Sequence, residues 1–420
     1  EGARAQGKDK FLAAFAQSNP GDVTANLNLD NTGPGRNDTE SAGIIGSRQL
    51  DTAMQLYEQA SEPLSGPIDY RRVYVDMSGY EVSNEFTDSG VQTTCPSAYG
   101  YAFAAGSTED GGGHFLFREG MTNQNFLLDF LIRFLTGAPD YTQAVQQCQT
   151  PKPILFETGS GEPPLQSQIR SVTLARIGQL VILALPAEVT TMAGRRLRQT
   201  VSNELGDWAK HIVLAGYVNG YAGYITTPEE YMLQQYEAGH TLHGRWTLPA
   251  YQQIAAGLAQ AMNHDNHQPA SPAYDDWRGK SLGNPLYDGN QDVLPAGVSY
   301  GDSLPLSKRE YVAGDLIEVS FWSGNPSAGL GRVKNFLTVE RQHQGQWQSV
   351  ATDRDWDTTI LWLRDGDTDA LIAKVGWMSA SDSTPGEYRI RHHGQFAQSD
   401  GSVETFEAVS EGFRMRAEAQ

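Results

Sequence analysis

The apolar residues of the first 265 positions follow both helical and strand spacings. Between Ser47 and Ala60 they fall at Leu50, Met54 and Tyr57, a spacing typical of one face of a helix. The same reasoning predicts a helix over Glu188–Glu204 and strands over Val172–Leu185 and His211–Tyr217. Helices and strands that alternate in this way predict a mixed α/β domain.

The pattern changes near residue 265. The segment His264–Leu306 is rich in Pro, Gly, Asn and Asp and has little periodicity, which is typical of a linker. Beyond it, short apolar runs alternate with polar residues and turn signals, and this pattern predicts consecutive strands. Strands are expected at Leu316–Trp322, Phe336–Glu340 and Tyr388–Arg391. Their spacing predicts a β-sandwich of immunoglobulin-like architecture.

The sequence therefore predicts two domains joined by a linker. We place an α+β domain of mixed α/β content at residues 1–265, the linker at 266–306 and the immunoglobulin-like β-sandwich at 307–420. A chain of 420 residues is long enough to bury a separate core in each domain.

The charge balance restricts the partners. With 50 acidic against 31 basic residues, the net charge is −19, so the chain repels the phosphates of nucleic acids and of anionic lipids. No apolar run reaches the roughly 18 to 20 residues that cross a bilayer. We therefore expect no nucleic-acid partner, and at most peripheral contact with a membrane surface.

A Gly-Asp turn at Gly21–Asn26 presents the hydroxyl of Thr24 between small residues. A free alcohol is almost fully protonated at neutral pH, so a nucleophilic hydroxyl needs an accessible turn and a base or metal beside it. The alternative is an ordinary threonine in an Asp-containing turn.

Two further segments carry candidate chemistry. Glu188 follows a buried-looking strand at Pro186-Ala187 and begins a predicted helix, where a glutamate often caps the helix N–H groups instead. A tyrosine-rich run from Tyr217 includes Tyr224 and Tyr236, and such density is also typical of rings that pack at a core edge.

Together these segments resemble the neutral ceramidase family. That family carries a Gly-Asp-Val-Ser-Pro-Asn signature whose serine is the catalytic hydroxyl, so Thr24 matches the serine and Ala25 the proline. The extra methyl group of threonine stiffens χ1 and crowds the path of attack. By the same resemblance, Tyr236 hydrogen-bonds the reacting centre.

The resemblance also implies a Zn²⁺ cofactor. It makes Glu188 and Tyr224 zinc ligands, and it places two further histidine ligands in a region that precedes Gly21–Asn26 in family members. Because two ligands hold zinc poorly, we expect those histidines outside this chain. The catalytic domain would then be incomplete at its N-terminus, and an N-terminal fragment of the same precursor would be a partner.

Other features follow less directly from the residues. Asp355 and Asp357 belong to an acidic segment whose alternate carboxylates would share one face if it were a strand, and the resemblance suggests a Ca²⁺ or Mg²⁺ site there. A solvated acidic turn is the alternative interpretation. Cys95 and Cys148 are either free thiols or a disulfide; the resemblance favours the disulfide and a secreted or periplasmic location. The segment Ala104–Gly111 also resembles the family's sequence. It could bind a hard cation or cap a helix; we favour the cap and assign it no catalytic role.

The resemblance implies a zinc-dependent hydrolase that cleaves the amide bond of ceramide to a sphingoid base and a fatty acid. Two alternatives stay open because threonine replaces serine. One is a catalytically impaired, secreted lipid-binding homologue, and the other is an amidase for another N-acyl lipid.

Overall fold

The computed structural model describes residues 14–125, 127–130, 141–160, 164–264, 271, 292–329 and 333–417. The chain divides into two compact units, an N-terminal unit (Glu1–Trp277) and a C-terminal unit (Arg278–Gln420). Most of the predicted linker 266–306 lies outside the described residues. Within the described residues, no helix is both long and apolar enough to cross a membrane.

The N-terminal unit contains both helices and strands, as predicted. Its helices are α1 (Asp38–Gln59), α2 (Tyr101–Ala105), α3 (Gln143–Cys148), α4 (Thr191–Leu205), α5 (Pro228–Leu233), α6 (Tyr236–Gly239) and α7 (Thr247–Asn263). Its strands are β1 (Ile68–Asp76), β2 (Glu81–Val82), β3 (Gln92–Thr93), β4 (Ala98–Gly100), β5 (Ile154–Glu157), β6 (Ile169–Ile177), β7 (Leu180–Ala184), β8 (Glu188–Val189), β9 (His211–Ala215) and β10 (Tyr224–Ile225).

The main sheet has the order β1-β6-β7-β9 and is antiparallel except for the parallel pair β7-β9. The predicted strand Val172–Leu185 is two strands, because the chain turns at Gly178 with φ of +59°. Helices α4 and α7 pack against this sheet, and their apolar faces share one core with it. Smaller sheets are formed by β2 with β3, β4 with β5 and β8 with β10.

Two helix boundaries differ from the prediction because of side-chain caps. Helix α1 begins well before Ser47, since Asn37 accepts a 2.9 Å hydrogen bond from the Glu40 amide. Helix α4 begins after Glu188, which belongs to β8, and Thr190 provides its N-terminal cap. Glu188 therefore does not cap a helix, and its carboxylate is available for other contacts.

The expected disulfide is present between Cys95 and Cys148, with 5.8 Å between the two Cα atoms. It joins the end of α3 to the segment before β4. The Cys95 amide also donates a hydrogen bond to the carbonyl of His243, so the bridge braces the segment that follows α6.

His243 gives the N-terminal unit a predictable response to acid. Its buried ring donates from Nδ1 to the Cys95 carbonyl at 3.0 Å, while Nε2 has no hydrogen-bond partner among the described residues. Burial lowers the pKa of His243 from 6.5 to about 3. The unfolded chain therefore binds the proton first, and stability is lost as the pH falls from 6.5 toward 3.

We expect His243→Gln to reduce the acid sensitivity of the unit. Between pH 7 and pH 5 the wild type should lose about 2 kcal/mol more unfolding free energy than this variant. Urea titrations at the two pH values measure the difference. The same substitution at exposed His264 is the control, and equal pH dependence in both variants would contradict the argument.

The C-terminal unit consists of strands in two sheets. They are β11 (Glu310–Val312), β12 (Leu316–Ser323), β13 (Leu337–His343), β14 (Gln346–Thr352), β15 (Thr358–Arg364), β16 (Leu371–Met378), β17 (Gly386–Ala397), β18 (Val403–Val409) and β19 (Phe413–Arg416). One sheet has the order β11-β19-β17-β13-β14 with β18 also on β17, and the other has the order β12-β16-β15. Apolar residues of both sheets share one core, so the three predicted strands and the sandwich arrangement are present. The immunoglobulin-like topology stays a prediction.

The acidic segment of this unit is a turn, which is the alternative to a strand that the sequence left open. It connects β14 to β15, and its carboxylates accept hydrogen bonds from separate donors. These are the Phe336 amide to Asp353 (2.6 Å), the Thr352 amide to Asp355 (2.8 Å) and the Trp377 indole to Asp357 (3.0 Å). The carboxylates thus stabilise the turn and its neighbouring strands. The Ca²⁺ or Mg²⁺ site at Asp355 and Asp357 stays a prediction.

Candidate active site

A two-stranded parallel sheet places Glu188 beside Tyr224. Strand β8 pairs with β10 so that these two residues are direct partners in the register. The pairing is fixed by hydrogen bonds from the Glu188 amide to the Gly223 carbonyl (2.9 Å) and from the Thr190 amide to the Ile225 carbonyl (3.1 Å). Side chains of directly opposite residues on paired strands point to the same face, so the carboxylate and the phenol lie side by side.

Three phenols converge on the Glu188 carboxylate. Tyr221 Oη donates a hydrogen bond of 2.5 Å to Oε1, and Tyr217 and Tyr224 lie near enough for this carboxylate to raise their pKa values. Burial, and then the neighbouring Glu188 carboxylate, raises the pKa of Tyr217 to about 12 and that of Tyr221 and Tyr224 further still. All three phenols therefore hold their protons at neutral pH in the absence of a cation.

Tyr236 and His240 complete this side of the site from helix α6. The Tyr236 ring meets the Tyr224 ring edge-on at 5.7 Å, and the His240 ring lies 5.1 Å from Tyr224. His240 is buried among aromatic rings, and burial lowers its pKa to about 4, so the ring is neutral. We did not single out His240 from the sequence. The sequence signal that could have indicated His240 is its spacing of four residues from Tyr236, because this spacing places both residues on one side of a helical turn.

The turn that carries Thr24 is attached to the end of β8. The Gly21 amide donates to the Val189 carbonyl at 2.9 Å, and Asp22 Oδ1 accepts from the Thr191 amide at 2.7 Å. A Cβ atom at Gly21 would lie 2.9 Å from the Val189 carbonyl carbon, so this close approach requires glycine. The residues that anchor the turn thus directly follow Glu188 in the chain.

The hydroxyl of Thr24 donates a hydrogen bond to Asp110 Oδ1. Asp110 belongs to the segment Ala104–Gly111, which we expected to cap a helix. The segment does supply the C-cap of α2, at Gly106, and it then continues as a loop that contacts the Thr24 turn. The two residues are 86 positions apart, so no local pattern could indicate the contact.

Tyr236 lies near both the Glu188 carboxylate and the Asp110 carboxylate. Its pKa is raised by burial first and then by the negative charges of Glu188 and, among others, Asp110. Both carboxylates are therefore close enough to influence the same phenol. The structure thus gathers Thr24, Glu188, Tyr224 and Tyr236, the four residues singled out from the sequence, in one region.

The donor set fits part of a zinc site. A carboxylate and a phenol lie side by side at Glu188 and Tyr224, and both oxygen types can ligate Zn²⁺ when ionised. The described residues contain no group of three or more His, Cys, Asp or Glu that could hold a metal ion.

The mixed α/β unit thus brings an acid, phenols and a hydroxyl into one site. Two family models match nearly the whole chain. The N-terminal model of neutral/alkaline non-lysosomal ceramidase matches residues 1–253, and the C-terminal model matches residues 252–415. The chain belongs to the neutral/alkaline non-lysosomal ceramidase family.

Individual relatives agree with this assignment. The neutral ceramidase of Pseudomonas aeruginosa is 38% identical over 96% of this chain and 61% of its own length, and that of Oryza sativa is 38% identical over 98% and 57%. A solved structure described as "Ceramidase complexed with C2" aligns with a TM-score of 0.82 and 35% identity, over 99% of this chain and 65% of its own. The Pseudomonas aeruginosa enzyme structure has a TM-score of 0.78 and 31% identity, covering 98% and 63%. The chain thus spans about three fifths of the length of these relatives.

Proposed function

We propose that the intact protein is a zinc-dependent hydrolase that cleaves the amide bond of ceramide to a sphingoid base and a fatty acid. The observation that carries this proposal is the position of the Glu188 carboxylate, which accepts a hydrogen bond from Tyr221 and lies beside Tyr224, next to the turn that carries the Thr24 hydroxyl. The names of the relatives support the substrate class.

Each residue has a role that follows from its position. Thr24 Oγ1 is the nucleophile or a positioning hydroxyl, and Tyr236 donates a hydrogen bond to the oxyanion that develops on the amide carbonyl. Glu188 and Tyr224 would hold the zinc ion together with two histidines from a separate segment of the same precursor. When bound, that ion would supply Lewis-acid polarisation of the carbonyl.

The remaining proposals concern the location of the protein and its contact with membranes. The disulfide favours an oxidising compartment, so we propose that the protein is secreted or periplasmic. Ceramide carries long apolar chains, and the net charge of −19 opposes electrostatic attraction to an anionic membrane. We therefore propose peripheral contact with a lipid surface through apolar groups.

A chelator experiment tests the proposed reaction. Release of fatty acid from a fluorescent ceramide is measured for the intact wild-type protein and for Thr24→Ser, with and without a zinc chelator. We expect turnover that the chelator abolishes and that zinc restores. We expect Thr24→Ser to be at least as active as the wild type, because it keeps the hydroxyl and removes the methyl group that crowds attack.

Two results would contradict the proposal. Silence of both variants with zinc bound would favour the impaired lipid-binding homologue, which the threonine at position 24 suggests. Turnover of other acyl amides but not ceramide would favour an amidase for a different N-acyl lipid.

A further inference from the structure

Asp110 makes the contact that decides where the Thr24 hydroxyl points. Its Oδ1 accepts from Thr24 Oγ1 and also from Asn26 Nδ2 at 2.8 Å, while its Oδ2 accepts from Ser107 Oγ at 2.9 Å. Both oxygens of the carboxylate are thus held by donors. A carboxylate whose two oxygens are both held by hydrogen bonds can impose one orientation on the Thr24 hydroxyl.

The loop that carries Asp110 is itself braced. The Gly113 amide donates to the Ala105 carbonyl (2.6 Å), which closes the loop at its base. Thr108 Oγ1 donates to Glu119 at 2.7 Å, and Glu119 also accepts from the Tyr236 amide at 3.2 Å. The loop is therefore tied to the start of α6, which carries Tyr236.

The hydrogen bonds of Thr24 determine the direction in which its hydroxyl proton points. The Asn26 amide donates to Thr24 Oγ1 at 3.0 Å, so the hydroxyl oxygen already accepts one bond. A hydroxyl has a single proton to donate, and here it goes to Asp110. The second lone pair of Oγ1 is left to face a substrate.

We infer that Asp110 is a positioning residue that holds the Thr24 hydroxyl in the orientation for attack on the substrate amide carbon. This inference rests on the proposed function. It adds to that reaction a residue from a different loop, in the segment Ala104–Gly111, to which the sequence analysis assigned no catalytic role.

Asp110 orients the hydroxyl and is not the final acceptor of its proton: as the Oγ1–C bond forms and the C–N bond of the amide breaks, that proton ends on the leaving amine nitrogen. The hydrogen bond from Thr24, followed by those from Ser107 and Asn26, lowers the pKa of the carboxyl despite some burial. A general base is most effective when its pKa lies near the working pH, so a more acidic carboxyl removes a proton poorly. The geometry therefore favours a role of Asp110 in orienting the Thr24 hydroxyl.

Asp110→Asn in the intact protein tests the role. We expect kcat for fluorescent ceramide to fall about 100-fold with little change in KM, because misplacing a reacting group costs rate rather than binding. The shape of the pH profile should stay that of the wild type. The matched control is Glu109→Gln, which removes the neighbouring charge of the same loop and should keep wild-type kcat.

A double-mutant comparison shows whether Asp110 acts through Thr24. Thr24→Val removes the hydroxyl and keeps the branched shape, so adding Asp110→Asn to it should lower activity no further. Independently of turnover, the carboxyl carbon of Asp110, followed by NMR, should titrate at higher pH in Thr24→Val than in the wild type.

The outcomes separate the inference from the proposed function. Undiminished kcat in Asp110→Asn, additive losses in the double variant, or an unchanged Asp110 titration would overturn the inference alone. A lost acidic limb in the pH profile would show a base instead of a positioning residue. Failure of the zinc-loaded wild type to hydrolyse ceramide would overturn the proposed function and the positioning role with it.

Discussion

Glu188→Gln is expected to lower ceramide hydrolysis by about 10³-fold and to abolish stoichiometric zinc binding. The substitution keeps the size of the side chain but removes the negative charge on which three phenols converge. Loss of one preorganised charged group in an active site has effects of this order. Steady-state turnover and metal analysis of the purified intact protein measure the two losses.

Glu229→Gln is the control for this substitution. Glu229 is an exposed residue whose ion pair with Arg196 (2.9 Å) lies on the surface, so its neutralisation should leave both turnover and zinc content unchanged. Full zinc occupancy in Glu188→Gln would refute the proposed ligand role, even if turnover fell.

The second large effect concerns the disulfide. Replacing Cys95 and Cys148 with Ala is expected to lower the unfolding free energy of the N-terminal unit by about 4 kcal/mol. The bridge closes a loop of 53 residues, and opening it restores conformational freedom to the unfolded chain. Urea unfolding followed by tryptophan fluorescence measures the change.

A reductant provides the control, because the chain contains only these two cysteines. Dithiothreitol should destabilise the wild type to the level of the double variant and should leave the variant itself unchanged. An unfolding midpoint that does not respond to reduction of the wild type would contradict this expectation.

Local patterns predicted the secondary structure well where one face of an element is buried. The alternation at Leu316–Trp322 corresponds to β12, whose buried positions alternate along the strand. The predicted helix boundaries were wrong where a single side chain decides them. At α1 the Asn37 cap starts the helix earlier than the apolar spacing indicated. At Asp353–Asp357 the sequence could not decide between a strand and a turn, because alternation of charges is not alternation of burial.

The site could be predicted only as far as the family resemblance reached. It led to Glu188, Tyr224, Tyr236 and Thr24, all of which lie in matched motifs. It extended to the segment of Asp110 but indicated no role for this residue, because Asp110 acquires its contact only when a distant loop meets the Thr24 turn. Long-range contacts of this kind depend on tertiary packing and leave no periodic trace in the sequence.

The register between β8 and β10 limits how this site can change over evolution or by engineering. Insertion or deletion of one residue in the 217–223 loop, without a compensating bulge, would turn the Tyr224 ring away from Glu188. Changes of loop length should therefore be accepted less readily than substitutions at those loop positions that do not contact Glu188, so library designs that diversify the pocket should keep the residue count constant there.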